Sequence, residues 1–196
     1  MNFIKNISIS KKLVISVLVP LVTIIIMASL VIRDHIVSKN KYENLNVVVE
    51  LNVKISQLIH ETQKERGTTA VFLGSKGNKF ATKIPTQRAL TDKRISEIKS
   101  FISESNIKKL LINGTDIYLD NAIDELNKIL TMREQISNFN ISTPKAIGYY
   151  TNMNKLFLNF IAKTSQLSHD SELTYGILAY FNFLQSKERE LELKEQ

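Results

Sequence analysis

Two arginines of this chain, Arg66 and Arg133, lie within helical stripes of apolar residues, where charged side chains are rare. Burying an unpaired charge costs several kcal/mol, so two arginines can face one interior only if something negative lies between them. A guanidinium presents a planar fork of donors that suits a small oxyanion or carboxylate. The pattern therefore indicates a candidate anion site between helices. The aligned residues are Ile55, Ile59, Thr62, Arg66, Thr69 and Leu73 in one stripe, and Leu126, Ile129 or Leu130, Arg133 and Ile136 in the other.

The same arrangement also fits a structural ion pair in which no ligand takes part. Three glutamates, Glu61, Glu65 and Glu134, are near in sequence and could neutralise the arginines. Alternatively, the aliphatic stems of the arginines could carry the charged heads to water. Periodicity by itself leaves the ligand, the ion pair and the solvated arginine open.

Other kinds of chemistry find little support in the residue types. The chain has no cysteine, which excludes disulfides, thiolate metal ligands and cysteine nucleophiles. Its three histidines, His35, His60 and His169, are scattered with none four residues from another, so no zinc site is expected. Glu61 and Glu65 lie four apart beside His60 but without a nucleophile, and a solvated helix face explains them better than catalysis. We therefore expect no enzyme activity, no metal and no cofactor.

The charge balance is basic, with a formal net charge of +7 at pH 7 and a pI of about 9.5. The lysines are dispersed, however, and no basic helix carries aromatic residues interleaved on one face, so nucleic acid is not an expected partner. The abundance of isoleucine, lysine and asparagine is typical of AT-rich coding in a bacterium. A basic domain does not repel a small anion.

Residues 13–32 form an uncharged apolar run, of the length that a helix needs to cross about 30 Å of hydrocarbon. Pro20 is its one helix breaker, which membrane-spanning helices tolerate. The run is longer than the apolar core of a signal peptide, about 7–15 residues. Lys5, Lys11 and Lys12 precede it, and the positive-inside rule places them in the cytoplasm. We predict a cytoplasmic N-terminus (1–12), a single transmembrane helix (13–32) and an extracytoplasmic helical domain (33–196).

The remainder of the sequence has the period of helices and almost no alternation of period two. We therefore predict an all-α protein, in which the transmembrane helix is followed by an antiparallel helical bundle. In the third bundle helix, Ile123, Leu126, Leu130 and Ile136 are expected to share a buried face. The predicted helices are 34–73, ended by Gly74; 85–105; 116–138, with Asp116 as N-cap; one from Ser142; and a fifth after 168–171.

Five short motifs between residues 63 and 188 carry a family likeness. They are Gln63-Lys64-Glu65-Arg66-Gly67 with the following Phe72-Leu73-Gly74-Ser75-Lys76-Gly77; Gln87-Arg88-Ala89-Leu90-Thr91-Asp92; Arg133-Glu134-Gln135-Ile136; Tyr149-Tyr150-Thr151-Asn152-Met153-Asn154; and the segment 178–188. In this order they resemble the nitrate- and nitrite-sensing (NIT) domain, over about residues 46–188. Each motif is modest, but five in sequence are specific.

This resemblance implies an all-helical extracytoplasmic sensor in which arginines between helices hold a planar oxyanion. Arg66 and Arg133 match arginine positions of the family and are the residues predicted to bind nitrate or nitrite. Arg88, beside a turn, is expected to have a structural or rim role. A glycine in a helix costs about 1 kcal/mol of stability relative to alanine. Gly67 therefore either permits the close approach of a neighbouring helix or ligand, or is a tolerated glycine in a packing contact. Tyr150 is expected in the core, with a hydroxyl that could reach the site.

The likeness breaks off near the end of the sequence. The family continues with a further arginine and further helices, whereas this sequence has Arg189 and stops at Gln196. We therefore expect Arg189 to stand in for that arginine as a third ligand. We also expect the sensor domain to be truncated, by a frameshift just after Arg189, and to lack its output domain. A nucleotide sequence without a continuation in another frame would contradict the frameshift.

The predicted function is sensing of nitrate or nitrite by the ligand-binding part of a chemotaxis or signal-transduction receptor in the bacterial cytoplasmic membrane. The expected partners are the anion, the membrane, and either a second copy of the chain or a full-length receptor. The alternative is a membrane-anchored helical interaction protein that binds no ligand and pairs its arginines with glutamates.

Overall fold

Every regular element in the part of the chain that the structure describes is a helix, which confirms the all-α helical bundle. The computed structural model describes residues 8–111 and 114–165, together with the helical residues Ala179, Asn182, Gln185 and Ser186. The elements are α1 (Ile9–Gly74), α2 (Lys83–Glu104), a short 3₁₀ turn (Ile107–Lys109), α3 (Thr115–Leu126), α4 (Ile129–Ser137) and α5 (Thr143–Thr164).

The chain divides into two compact units, Met1–Asn44 and Leu45–Gln196. Within the first unit, α1 includes a stretch, Leu13–Ile36, that is long and apolar enough to cross a membrane, with a mean hydropathy of 2.8. Its most apolar window has 0% of its residues buried, unlike the core helix of a soluble protein. Length and composition make this stretch a candidate membrane span, a property that N-terminal signal sequences share.

In the second unit, α1 ends at Gly74, as the sequence predicts, and its last turn is closed by a Schellman motif. The N–H of Gly77 donates to the carbonyl of Phe72 at 2.9 Å, and that of Lys76 donates to the carbonyl of Leu73 at 3.0 Å. The predicted inward stripe of this helix is confirmed. Its residues, all buried, are Ile55, Ile59, Thr62, Arg66, Thr69 and Leu73.

The predicted third bundle helix, 116–138, is wrong in its continuity, because α3 and α4 are separate helices. The chain turns at Asn127 and Lys128, whose N–H groups donate to the carbonyls of Ile123 and Glu125. The turn changes the phase of the helical period. Leu130, expected on the buried face, is therefore 69% exposed.

The start of α3 also differs from the prediction. Its N-cap is Gly114, with φ +75°, and Asp116 lies in the first turn of the helix. A carboxylate in the first turn still interacts favourably with the positive end of the helix dipole. The next predicted start is confirmed, because α5 has Ser142 as N-cap and a proline in its first turn.

A second Schellman motif ends α4. The N–H of Asn140 donates to the Gln135 carbonyl at 2.9 Å, and that of Phe139 donates to the Ile136 carbonyl at 3.2 Å. Phe139 has φ +56°, a left-handed conformation that is costly for a bulky residue. Its ring stacks on Phe72, with centroids 5.2 Å apart. The ends of α1 and α4 therefore meet through two aromatic rings.

The core of the second unit is built from α1 and α5 with contributions from the other helices. In α5, Tyr150, Phe157, Phe160 and Ile161 are fully buried. The fifth predicted bundle helix, after 168–171, lies outside the described residues except for the four helical positions named above. Other fully buried side chains include Leu51, Leu58, Ile98, Ile107 and Leu119.

Candidate functional site

Arg66 is the largest fully buried side chain of the described residues, with 0% exposure. It lies in α1, and its Nη1 donates to the hydroxyl of Thr151 in α5 at 2.7 Å. One turn earlier, Thr62 donates from its hydroxyl to Oδ1 of Asn154 at 2.6 Å. Thr69, one turn later, is also buried. Arg66 therefore sits in a polar section of the interface between α1 and α5.

Glu65, the neighbour of Arg66, is fully buried and forms a two-pronged ion pair with Arg133 of α4. The Arg133 Nε donates to Glu65 Oε1 at 2.7 Å, and Nη2 donates to Oε2 at 2.8 Å. The Arg133 Nη1 donates to Asp92 of α2. Burial alone lowers the pKa of Arg133, but the hydrogen bonds and charges of Glu65 and Asp92 outweigh burial and raise it. Arg133 is therefore a fixed cation.

Tyr150 and Arg88 approach the same carboxylate from two further helices. The Tyr150 hydroxyl donates to Glu65 Oε1 at 2.8 Å, and Arg88 Nε lies 3.9 Å from that oxygen. Burial, followed by the negative charge of Glu65, raises the pKa of Tyr150 above its ordinary value. Burial lowers the pKa of Arg88, and the charge of Glu65 partly offsets this. Glu65 is thus a junction of α1, α2, α4 and α5.

Arg88 also fastens α2 to α4 away from the carboxylate. Its Nη1 donates to the Ser137 hydroxyl at 2.9 Å, and its Nη2 donates to the Arg133 carbonyl at 3.3 Å. In return, Arg133 Nη2 donates to the Arg88 carbonyl at 3.3 Å. A structural or rim role for Arg88 stays a prediction.

A further polar contact joins α1 to α2 one turn before Glu65. Gln87 donates to Glu61 Oε2 at 2.8 Å, and Lys64 donates to Oε1 at 3.1 Å. Burial alone raises the pKa of Glu61, but the hydrogen bonds from Gln87 and Lys64 outweigh burial and lower it. Glu61 is therefore held as a carboxylate.

The structure brings three predicted site residues, Arg133, Arg88 and Tyr150, together on Glu65. For Arg133 it shows the ion pair with a glutamate, which was the alternative to a ligand. At Gly67, an added Cβ would meet no heavy atom within 4 Å in the described part of the chain, so no helix described there approaches it closely. The third predicted ligand, Arg189, lies outside the described residues.

Two functional candidates, Asp92 and Thr151, were not singled out by sequence reasoning. Asp92 lies four residues after Arg88, so one turn of α2 presents both to Arg133. Thr151 is the residue after Tyr150, and it binds Arg66, which is the residue after the Tyr150 partner Glu65. Both residues lie within motifs that carry the family likeness, which was the signal available.

A family model described as nitrate and nitrite sensing (NIT) matches residues 57–190. This chain belongs to the NIT family. The match includes every residue of the site described above. It agrees with the order of motifs in the sequence, and the described NIT domain provides a buried arginine on an interface of two helices.

Two known proteins to which this chain is similar are longer than it. The Nitrate regulatory protein of Klebsiella oxytoca is 22% identical over 135 residues, which are 69% of this chain and 34% of that protein. The solved structure of the NasR transcription antiterminator superposes with a TM-score of 0.77 at 20% identity, covering 86% of this chain and 46% of the other. At this identity the superposition shows the fold alone. The chain spans less than half the length of either relative.

Proposed function

We propose that this NIT domain senses nitrate or nitrite outside the cytoplasm, as the ligand-binding part of a membrane-bound chemotaxis or signal-transduction receptor. The observation that carries the proposal is Arg66, fully buried between α1 and α5 within the family match. Its Nη1 partner, the Thr151 hydroxyl, adds no charge to that contact. The planar guanidinium is suited to the oxygens of a small planar anion.

Arg66 is the proposed contact residue for the anion, whereas Arg133 pairs with the neighbouring Glu65. Four of the five N–H groups of Arg133 donate to Glu65 twice, to Asp92 and to the Arg88 carbonyl. Among the described residues, these acceptors leave one N–H of Arg133 for a further acceptor. Replacing the buried carboxylate by an anion would leave Glu65 uncompensated, which is costly. Arg66 is thus the better candidate for direct contact.

Direct binding is tested by melting the full chain in detergent micelles with nitrate or nitrite, against chloride at equal ionic strength. At 100 times Kd the anion should stabilise the fold by about 2.7 kcal/mol. Arg66→Lys should lose this shift because an ammonium cannot form the planar fork. The matched control is Arg94→Lys in α2, an arginine that pairs with Glu97 at 2.8 Å. An equal shift in wild type and Arg66→Lys would contradict the assignment of Arg66.

The membrane placement is proposed from the apolar stretch of α1 and the lysines before residue 13. Because the chain has no cysteine, single cysteines can report its topology directly. Lys79→Cys should react with an impermeant maleimide on intact cells, whereas Ser8→Cys should react only after lysis; both parent residues are exposed. The opposite pattern, or protection of both, would contradict an extracytoplasmic NIT domain.

A second candidate function is a membrane-anchored helical interaction protein that binds no anion, either as a homodimer or together with a full-length receptor. The Glu65–Arg133 pair favours it, because at that arginine the neutralising charge is the protein's own. A cooperative melt that neither nitrate nor nitrite shifts would support this function over sensing. Neither candidate is an enzyme.

A further inference from the structure

Two consecutive residues of α1 are bonded to two consecutive residues of α5. Glu65 accepts the Tyr150 hydroxyl at 2.8 Å, and Arg66 donates to the Thr151 hydroxyl at 2.7 Å. Glu65, Arg66 and Tyr150 are each 0% exposed. The two bonds therefore fix one register between α1 and α5 at the level of the candidate anion site.

Glu65 connects this register to two more helices. Arg133 of α4 holds both of its oxygens, and Arg88 of α2 lies beside Oε1. In an interior without water such hydrogen bonds strengthen one another. Loss of one partner leaves a buried charge without compensation, which destabilises the fold. A change in register between α1 and α5 must therefore alter the contacts of α2 and α4.

We propose that Glu65 and Tyr150 are positioning residues for Arg66, and that they transmit occupation of the anion site to α2 and α4. This inference rests on the proposed function. An anion held by Arg66 competes for, or shares, the Thr151 bond, and the adjacent Tyr150–Glu65 bond passes the change to Arg133. The coupling path consists of the Arg66–Thr151 bond, the neighbouring Glu65–Tyr150 bond and the bonds from Glu65 to Arg133. Side-chain substitutions can remove these bonds one at a time.

The first test compares Tyr150→Phe with Tyr149→Phe in the full chain in detergent micelles. The control is matched, because Tyr149 is also buried but its hydroxyl donates to the Glu125 carbonyl at 2.9 Å and not to Glu65. Tyr150→Phe should weaken nitrate affinity at least about fivefold by isothermal titration, the lower end of usual couplings between sites. Tyr149→Phe should bind nitrate as the wild type does.

Amide hydrogen exchange tests transmission in the same samples. Nitrate should slow exchange in α4 of the wild type and of Tyr149→Phe, but not in α4 of Tyr150→Phe at saturating nitrate. The inference would be overturned if Tyr150→Phe bound nitrate with wild-type affinity and nitrate slowed exchange in its α4 as in the wild type. A lower melting temperature alone would then give Tyr150 a purely structural role.

A double-mutant cycle without nitrate separates this inference from the proposed function. The changes in unfolding free energy, measured by denaturation, should be non-additive for Tyr150→Phe and Thr151→Val, whereas those for Tyr149→Phe and Thr151→Val should add. If the wild type binds no nitrate, the proposed function is wrong and this cycle alone decides the positioning role. Additive changes in unfolding free energy in the first cycle would then overturn that role as well.

Discussion

The carboxylate of Glu65 fills the guanidinium fork of Arg133, with N–O distances of 2.7 and 2.8 Å, and both side chains are buried. The pair joins residues 68 positions apart in the sequence. Its planar geometry is the one in which a guanidinium binds a carboxylate most specifically. In this NIT domain the pair lies beside, and is distinct from, the proposed anion contact at Arg66.

The two acidic partners of Arg133 should differ greatly in their effect on stability. Glu65→Gln should lower the free energy of unfolding by about 3 to 5 kcal/mol, because it leaves Arg133 buried without its main counter-charge. Asp92→Asn should cost less than about 1 kcal/mol, since the Asp92 side chain is 54% exposed. Urea denaturation of both variants measures the difference. Equal costs would mean that Asp92 neutralises Arg133 as much as Glu65 does, and would contradict this account.

Thr151→Val should weaken nitrate binding while retaining the fold. Valine preserves the volume of threonine but removes the oxygen that accepts from Arg66 at 2.7 Å, so the guanidinium is less well oriented. The control is Thr68→Val, because Thr68 is also half-buried and, within the described part of the chain, its hydroxyl donates to the Lys64 carbonyl of its own helix. Nitrate titration should show the loss in Thr151→Val alone. A loss of equal size in both variants would point to a general loosening of the bundle.

Gly67→Ala tests the role predicted for this glycine. Alanine should stabilise α1 by about 0.5 to 1 kcal/mol, and Gly148→Ala should do the same in α5. In the described part of the chain, neither added Cβ meets an atom within 4 Å. If the anion occupies the open space at the missing Cβ of Gly67, next to Arg66 in the sequence, only Gly67→Ala should also weaken nitrate binding. Two variants that are stabilised and bind nitrate normally would make Gly67 a tolerated packing glycine.

Glu61 should contribute to an acid limb of stability. Its pKa is lowered in the folded state because hydrogen bonds from Gln87 and Lys64 outweigh burial. Its contribution is therefore present above the unfolded pKa of about 4.3 and is lost as pH falls through the lower folded pKa. Glu61→Gln should flatten the dependence of the urea midpoint on pH below about 5. Gln87→Met, which removes one donor, should flatten it in part; an unchanged slope in both would contradict this account.

The inward stripe of α1 was predictable because one uninterrupted period ran from Ile55 to Leu73, and a helix converts such a period into a face. The separation of α3 from α4 was not, because Asn127 and Lys128 are ordinary helix residues and no glycine or proline marks the turn. Because the helix was predicted to continue through this turn, Leu130 was assigned to the buried face, although it is exposed.

For the candidate site, the sequence indicated which arginines are buried but not which partners they choose. Periodicity locates Arg66 and Arg133 on inward faces. It contains no information on whether Arg133 meets a carboxylate 68 positions away, as it does at Glu65, or a ligand. The Thr151 and Asp92 contacts depend on the register between helices, which only the packed bundle determines.

The meeting of the two helix ends at Phe72 and Phe139 limits how related sequences can vary together. A Cβ on Gly77 would lie 3.0 Å from Cζ of Phe139, and Gly77 has φ +82°. A larger residue at position 77 would therefore push the Phe139 ring away by a few tenths of an ångström, besides the strain of its positive φ, and a smaller side chain at position 139 would relieve the contact. Positions 77 and 139 should covary across the family, although neither belongs to the anion site.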